Sequence, residues 1–474
     1  MVTKRQKNAA GGKDSRIAAS FSCHFIVMML LRHMLIALTL LAVTTTPVRA
    51  MGFIRDAEIE KLMADYARPL LIAAGLEPER IGIALINNKS LNAFVANGQN
   101  MYIFTGLILE AEKPNMVIGV LAHEIGHITG GHLARGSEAR SKSSTPMLVA
   151  TILGLGSILA GAGDIGMALI AGGQQIAQRN YLSYSRGQEA AADVTALQLL
   201  EATGQSPQGI IGMMQHLANQ EILNEVYQDP YARSHPMSRD RVNAYIAGAK
   251  DSDYFNAEDD PKFIARHEMA KAKIYGFLDS PATTLRRYQN DDSMPARYAR
   301  AIALYRQGLR APALKLVDGL LVDMPDNAYF FELKGQINYE TGNAAAGIAP
   351  YEKAVALLPD EPLLRVGLAT CQLGVGANGG PQNRAINEEA VANLRHALRD
   401  DPTNAAAYFQ LSKGFGQLGK TALAQWALAE YYAAAGSAQA TRHAQRAIKG
   451  LPKGSVEYIR AIDIMSSASG RKGR

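Results

Sequence analysis

The sequence has 474 residues, too many for one hydrophobic core and enough for two or three domains. An apolar fraction of 48% with 19% charged residues describes a globular chain and excludes a disordered one. The formal charge of +6 would suggest a nucleic-acid partner, but residues 1–50 carry all of it: Lys4, Arg5, Lys7, Lys13, Arg16, Arg32 and Arg49 stand against Asp14 alone. The rest of the chain balances, so no nucleic acid is expected.

Those first fifty residues read as an export signal. A basic stretch precedes the apolar run from Met34 to Val43, and Pro47-Val48-Arg49-Ala50 suits a cut after Ala50. The run is short for a bilayer, which favours cleavage over anchoring. The long basic region leaves Met28, Met29 and Met34 as alternative starts. Of the two cysteines, Cys23 lies in the leader. Cys371 sits in an apolar helical pattern and is expected as a buried small hydrophobe.

Residues 51–250 mix helical and strand signals and hold the candidate chemistry. The segments around Phe94 and Tyr102–Thr105 have strand character. From Asn115 to about Ala134 the pattern is helical, with Met116, Val117, Val120, Leu121, Ile125 and Ile128 at helical spacing and Asn115 as the expected cap. His123 and His127 stand four apart, so both imidazoles leave one face of that helix and can hold one zinc. Glu124 can reach a water at that ion, take its proton and later pass it to a leaving amine. His132 comes five residues after His127, where the metzincin pattern needs six, and is read as a helix-end residue. The expected third ligand is Glu189, 62 residues past His127 on a second helix. Asp193, one turn further on, can accept the outer N–H of a zinc histidine. Between these helices, Met147–Gly173 is apolar and rich in glycine and alanine. Its glycines and Asp164 favour a helical hairpin that covers the site or touches a membrane, over a span.

Residues 251–290 read as a charged helical connector. In 291–436, Pro325 and Pro359 lie 34 residues apart, the tetratricopeptide period, and Gly335, Tyr339, Gly342, Tyr351 and Ala354 mark the unit between them. Pro402 follows 43 residues later, which predicts an insertion of about nine around Gly374–Pro381. About four such units would stack with a concave groove able to hold peptide or a partner helix. Residues 437–474 are expected as a tail, frayed over its final residues. The fold class is mainly α: an α+β zincin-type metalloprotease domain with a small sheet, followed by an all-α tetratricopeptide solenoid.

The His123-Glu124-Ile125-Gly126-His127 helix, the Glu189–Asp193 helix, Ser234-His235-Pro236 with Arg241, and the segments Asn92–Val95 and Tyr102–Gly106 resemble the M48 family of zinc metallopeptidases over residues 53–247. The resemblance implies one zinc per chain, with His235 on a loop near the metal and Arg241 helping to build the site. His235 could cap the zinc at rest or hydrogen-bond the oxyanion during cleavage. A sheet edge near Phe94 and Tyr102–Thr105 could take up substrate backbone as an added strand. With its leader and repeats, the whole chain resembles the periplasmic, repeat-bearing members of that family. Those imply outer-membrane protein quality control in a Gram-negative envelope, with unfolded or misassembled proteins as substrates and the β-barrel assembly machinery as a partner of the repeats. Two readings compete: a membrane-embedded M48 protease spanning at 147–173, and a repeat-based chaperone or scaffold with a closed zinc site.

Overall fold

The computed structural model describes residues 52–96, 99–132, 186–223, 235, 239–377 and 380–470. The leader, its cleavage site and the apolar segment 147–173 lie outside them. No helix among the described residues is long and apolar enough to cross a membrane.

The chain enters through a short strand, β1 (Phe53–Ile54), and turns into α1 (Ala57–Ala73). Asp56 caps that helix by accepting from the Ile59 amide, and Glu58 and Glu60 place negative charge at its positive end. Ile59, Leu62, Met63, Tyr66 and Leu70 recur at helical spacing and are buried. Three more strands follow, β2 (Ile83–Ile86), β3 (Ala93–Ala96) and β4 (Asn100–Phe104). The sheet order is β1-β2-β4-β3, with β2 and β4 parallel and the other pairs antiparallel. Among the described residues its edges are therefore β1 and β3. Phe94 lies on an edge strand as expected, whereas Tyr102 lies on β4, which is paired on both sides and offers no free backbone.

After α2 (Thr105–Glu110) comes α3 (Pro114–Thr129). Proline opens it, where its missing N–H costs nothing. Asn115 is not its cap. The cap position is Lys113, and the Asn115 side chain instead donates to Ser206 O (2.7 Å) and accepts from the Gly209 amide (2.8 Å). It thereby ties α3 to the start of a later helix, α5 (Gln208–Leu223). A helix over 186–202 (α4), α5 itself and α6 (Arg239–Ala249) complete the packing around α3. One apolar cluster joins α1, the sheet and these helices.

The expected connector is more than a spacer. Its main helix, α7 (Pro261–Leu278), places Ala270 and Ile274 in the core just described and Met269 in a second core with Tyr298, Ile302 and Phe330. After α8 (Pro281–Arg287), five helix pairs follow. They are α9 (Met294–Arg306) with α10 (Arg310–Asp323), α11 (Ala328–Glu340) with α12 (Ala344–Leu357), and α13 (Pro362–Gly376) with α14 (Pro381–Asp400). Then come α15 (Ala405–Gln417) with α16 (Thr421–Ala434), and α17 (Gln439–Ala447) with α18 (Val456–Gly470). The solenoid thus extends past residue 436. The segment expected as a tail forms a final pair, anchored by Ala444 and Ala461 against Ala429. The surplus before Pro402 is mostly helix: α13 and α14 have 15 and 20 residues where α11 and α12 have 13 and 14. Cys371 is fully buried, and burial pushes its thiol up to about 12.

Charge is buried where the first core meets the repeats. Lys273 of α7 lies 2.8 Å from Asp56, 3.3 Å from Glu58 and 3.5 Å from Glu332 of α11, while Tyr298 donates to Glu58 (2.9 Å). Three carboxylates share one ammonium. Burial raises Glu58 and lifts Glu332 to about 7 against the pull of Lys273. Burial likewise lifts Glu361, at the head of α13, to about 7. A carboxyl held above its unfolded value of about 4.3 favours the neutral form in the fold. Its contribution to stability is complete at low pH and is lost as pH rises from the unfolded value through about 7. These carboxyls lower the melting temperature from pH 5 to pH 7 while the lowered His127 acts the other way, so the parent should lose more melting temperature over that range than Glu332→Gln does. Identical slopes would show that Glu332 does not carry the titration.

Candidate metal centre

Helix α3 is buried almost throughout, and His123 and Glu124 are 0% and 1% exposed. Its contact with α4 is unusually close. A Cβ on Gly126 would stand 2.8 Å from Ala192 O and 2.9 Å from its Cα, so only glycine lets the two backbones touch. That approach sets Glu189 and Asp193, on either side of Ala192, against the histidine face of α3.

Four donors converge. The ligating atoms of His123, His127, Glu189 and His235 all lie within 4.8 Å of one another. His123 Nε2 is 3.1 Å from His127 Nε2, 3.4 Å from Glu189 Oε2 and 3.2 Å from His235 Nδ1. Glu189 Oε1 is 3.4 Å from His127 Nε2, and Oε2 is 3.1 Å from His235 Nδ1. A tetrahedral ion with bonds of 2.0–2.1 Å needs ligand atoms about 3.3 Å apart, so nitrogen and carboxylate donors at these separations fit zinc.

The surroundings hold the donors in place. His123 Nδ1 lies 2.9 Å from Asp193 Oδ1. Arg241 of α6 grips Asp193 with two nitrogens (2.5 and 2.9 Å) and reaches Glu189 with a third (2.9 Å). Burial alone would raise Asp193, but Arg241 and His123 outweigh it and hold the carboxylate below its usual range. Glu189 is lowered against burial in the same way by His123 and His235. Burial opposes charge on His123 too, yet Asp193 and Glu189 lift it to about 9. The negative field that retains a proton there would equally retain a cation. Burial and the neighbouring His123 push His127 down to about 2, which keeps its imidazole neutral, as a ligand requires.

Glu124 differs from the other acids. Among the described residues neither of its oxygens has a hydrogen-bond partner, and its nearest ionisable neighbour is His235 Nε2 at 3.4 Å. Burial raises its pKa. A buried carboxylate without a donor, beside a cluster of ligand atoms, is suited to a water bound between them.

All seven residues expected from the sequence thus lie together: His123, His127 and Glu189 as converging donors, His235 beside them, and Glu124, Asp193 and Arg241 around them. His132 is outside the donor set. No sequence signal points to the Asn115 brace, whose partners lie over 90 residues away.

Residues 53–247 match peptidase family M48. This segment resembles the peptidase domain of that family. M48 peptidases are zinc-dependent metalloproteases, in keeping with the donor cluster. The β-barrel assembly-enhancing protease of Yersinia pestis is 28% identical over 294 residues, 60% of this chain and 59% of that one. The chain thus spans under two thirds of that relative's length. Metalloprotease LoiP of Escherichia coli is 28% identical over 194 residues, 39% of this chain and 71% of its own. A solved tetratricopeptide-repeat protein of Thermus thermophilus aligns with 37% of this chain and 100% of its own, at 18% identity and a TM-score of 0.26.

The contact between the two site helices is open to test. Gly126→Ala should destabilise the domain by about 1–3 kcal/mol through overpacking and weaken metal binding. Urea denaturation with metal analysis checks this, and unchanged stability would mean that α3 and α4 do not touch.

Proposed function

We propose that this chain is an exported zinc endopeptidase that hydrolyses peptide bonds of unfolded or misassembled envelope proteins, with its repeats holding a client or partner. One observation carries the reading: buried Glu124, without a hydrogen-bond partner among the described residues, stands beside the converging donors His123, His127 and Glu189. Export to a periplasm draws support from the leader. A role in outer-membrane protein quality control, with the β-barrel assembly machinery as partner, draws support from the names of the relatives.

His123, His127 and Glu189 would hold the ion. When bound, zinc supplies a Lewis acid that polarises the scissile carbonyl and makes water a usable nucleophile near neutral pH. Glu124 takes the proton of the attacking water and delivers it to the leaving amine; its raised pKa suits both halves of that transfer. Asp193 stands 2.9 Å from the outer nitrogen of His123, close enough for its charge to favour the tautomer protonated there, and Arg241 restrains Asp193 and Glu189 together. His235, 3.2 Å from His123 and 3.1 Å from Glu189, lies where a substrate carbonyl or water must come. This favours a cap that closes the resting site over an oxyanion contact. Edge strand β3 is the place for substrate backbone to add.

The test uses protein beginning at residue 51, with zinc content measured beside cleavage of casein. The parent should bind one zinc and cut. Glu124→Gln should keep the metal and lose about 100-fold or more in rate, while His235→Ala should cut faster. A parent without zinc, or cleavage that survives Glu124→Gln, would overturn the protease reading in favour of a repeat-based scaffold with a closed site.

A further inference from the structure

Asp193 stands at the outer nitrogen of His123, but among the described residues no carboxylate takes that place for His127. The outer nitrogen of His127, Nδ1, lies 2.9 Å from Nδ1 of His132, with the two rings edge-on at 5.0 Å between centroids. The direction of the bond follows from the donor cluster. His127 Nε2 faces His123 and Glu189, so its lone pair points inward and the ring proton resides on Nδ1. His127 is then the donor, His132 Nδ1 the acceptor, and the proton of His132 resides on its Nε2.

Sequence spacing alone argues against this contact. In an unbroken helix, a residue five places along points about 140° away. The helix is broken at Gly130-Gly131. Gly131 takes a left-handed φ of 60°, and a Cβ on Gly130 would come within 2.3 Å of His132 Nε2. Two glycines in succession let the His132 ring fold back over the last turn of α3. The same residue reaches the other ligand helix, because its carbonyl accepts from Gln188 Nε2 (3.2 Å), next to Glu189.

We infer that His132 is a positioning residue of the metal centre: its imidazole accepts the His127 Nδ1–H to hold that ligand's tautomer and ring angle, and its carbonyl braces the start of the Glu189 helix. It is not a ligand and touches no reacting atom. The inference rests on the proposed zinc site, and its readout is metal affinity rather than turnover.

The experiment measures zinc affinity by competition with a chromogenic chelator, on the chain from residue 51, for the parent, His132→Phe and His132→Gln. Phenylalanine keeps a ring against Gly130 but offers no acceptor, and should weaken zinc binding about 10–100-fold. Glutamine restores an oxygen acceptor and should recover much of that loss, while the metal-free proteins should melt together. If His132→Phe does not fold, His132→Ala takes its place in the assay. Zinc bound as tightly by His132→Phe as by the parent, or no better by glutamine than by phenylalanine, would overturn the inference and leave the zinc site standing. A parent that binds no zinc would remove the proposed function and this inference together.

Discussion

The centre depends on a backbone contact that admits no side chain, where Gly126 of α3 meets Ala192 of α4. Two helices from distant parts of the sequence must approach this closely for a carboxylate on one to stand 3.4 Å from imidazoles on the other. The approach is enforced from several directions. Asn115 fastens the start of α3 to the turn before α5, and Arg241 reaches from α6 to both acids of α4. None of these residues need touch a substrate for the geometry to rely on them.

Electrostatically the centre is a negotiated excess of negative charge. Glu189 and Asp193 are buried at 5% and 6% exposure, which disfavours ionisation, yet Asp193 stays ionised because Arg241 and His123 face it, and Glu189 because His123 and His235 do. Arg241 neutralises one charge, and the remainder faces the donor atoms. Glu124 lies outside that arrangement and keeps a raised pKa. Neighbouring carboxylates are thus shifted in opposite directions by their surroundings.

Much of this is legible in the sequence because it depends on short-range periodicity. Residues spaced by four on a helix share a face, so spacing alone pairs His123 with His127 and Glu189 with Asp193, and the 34-residue proline interval exposes the repeats. What the sequence does not reveal depends on where distant segments meet. The Asn115 side chain has two equally plausible uses, cap or brace, and only its tertiary neighbours decide between them. Tyr102 has strand character on any reading, but whether its strand is an edge is a matter of sheet order. The final pair α17 and α18 is hidden because its proline, Pro452, lies between its two helices rather than closing the unit as Pro325, Pro359 and Pro402 do. His132 falls outside the ligand spacing, and an ideal helix cannot anticipate a chain that reverses at two glycines.

Helix α7 contributes Ala270 and Ile274 to one core and Met269 to another, and its Lys273 is enclosed by acids from both sides. No division of the chain leaves this helix whole on one side. Cut before it, the peptidase core loses a wall; cut after it, the first repeat exposes apolar surface. The two parts therefore share α7 as a common wall. A force that bends the repeats would bear on α7, and through it on the core that carries the two site helices.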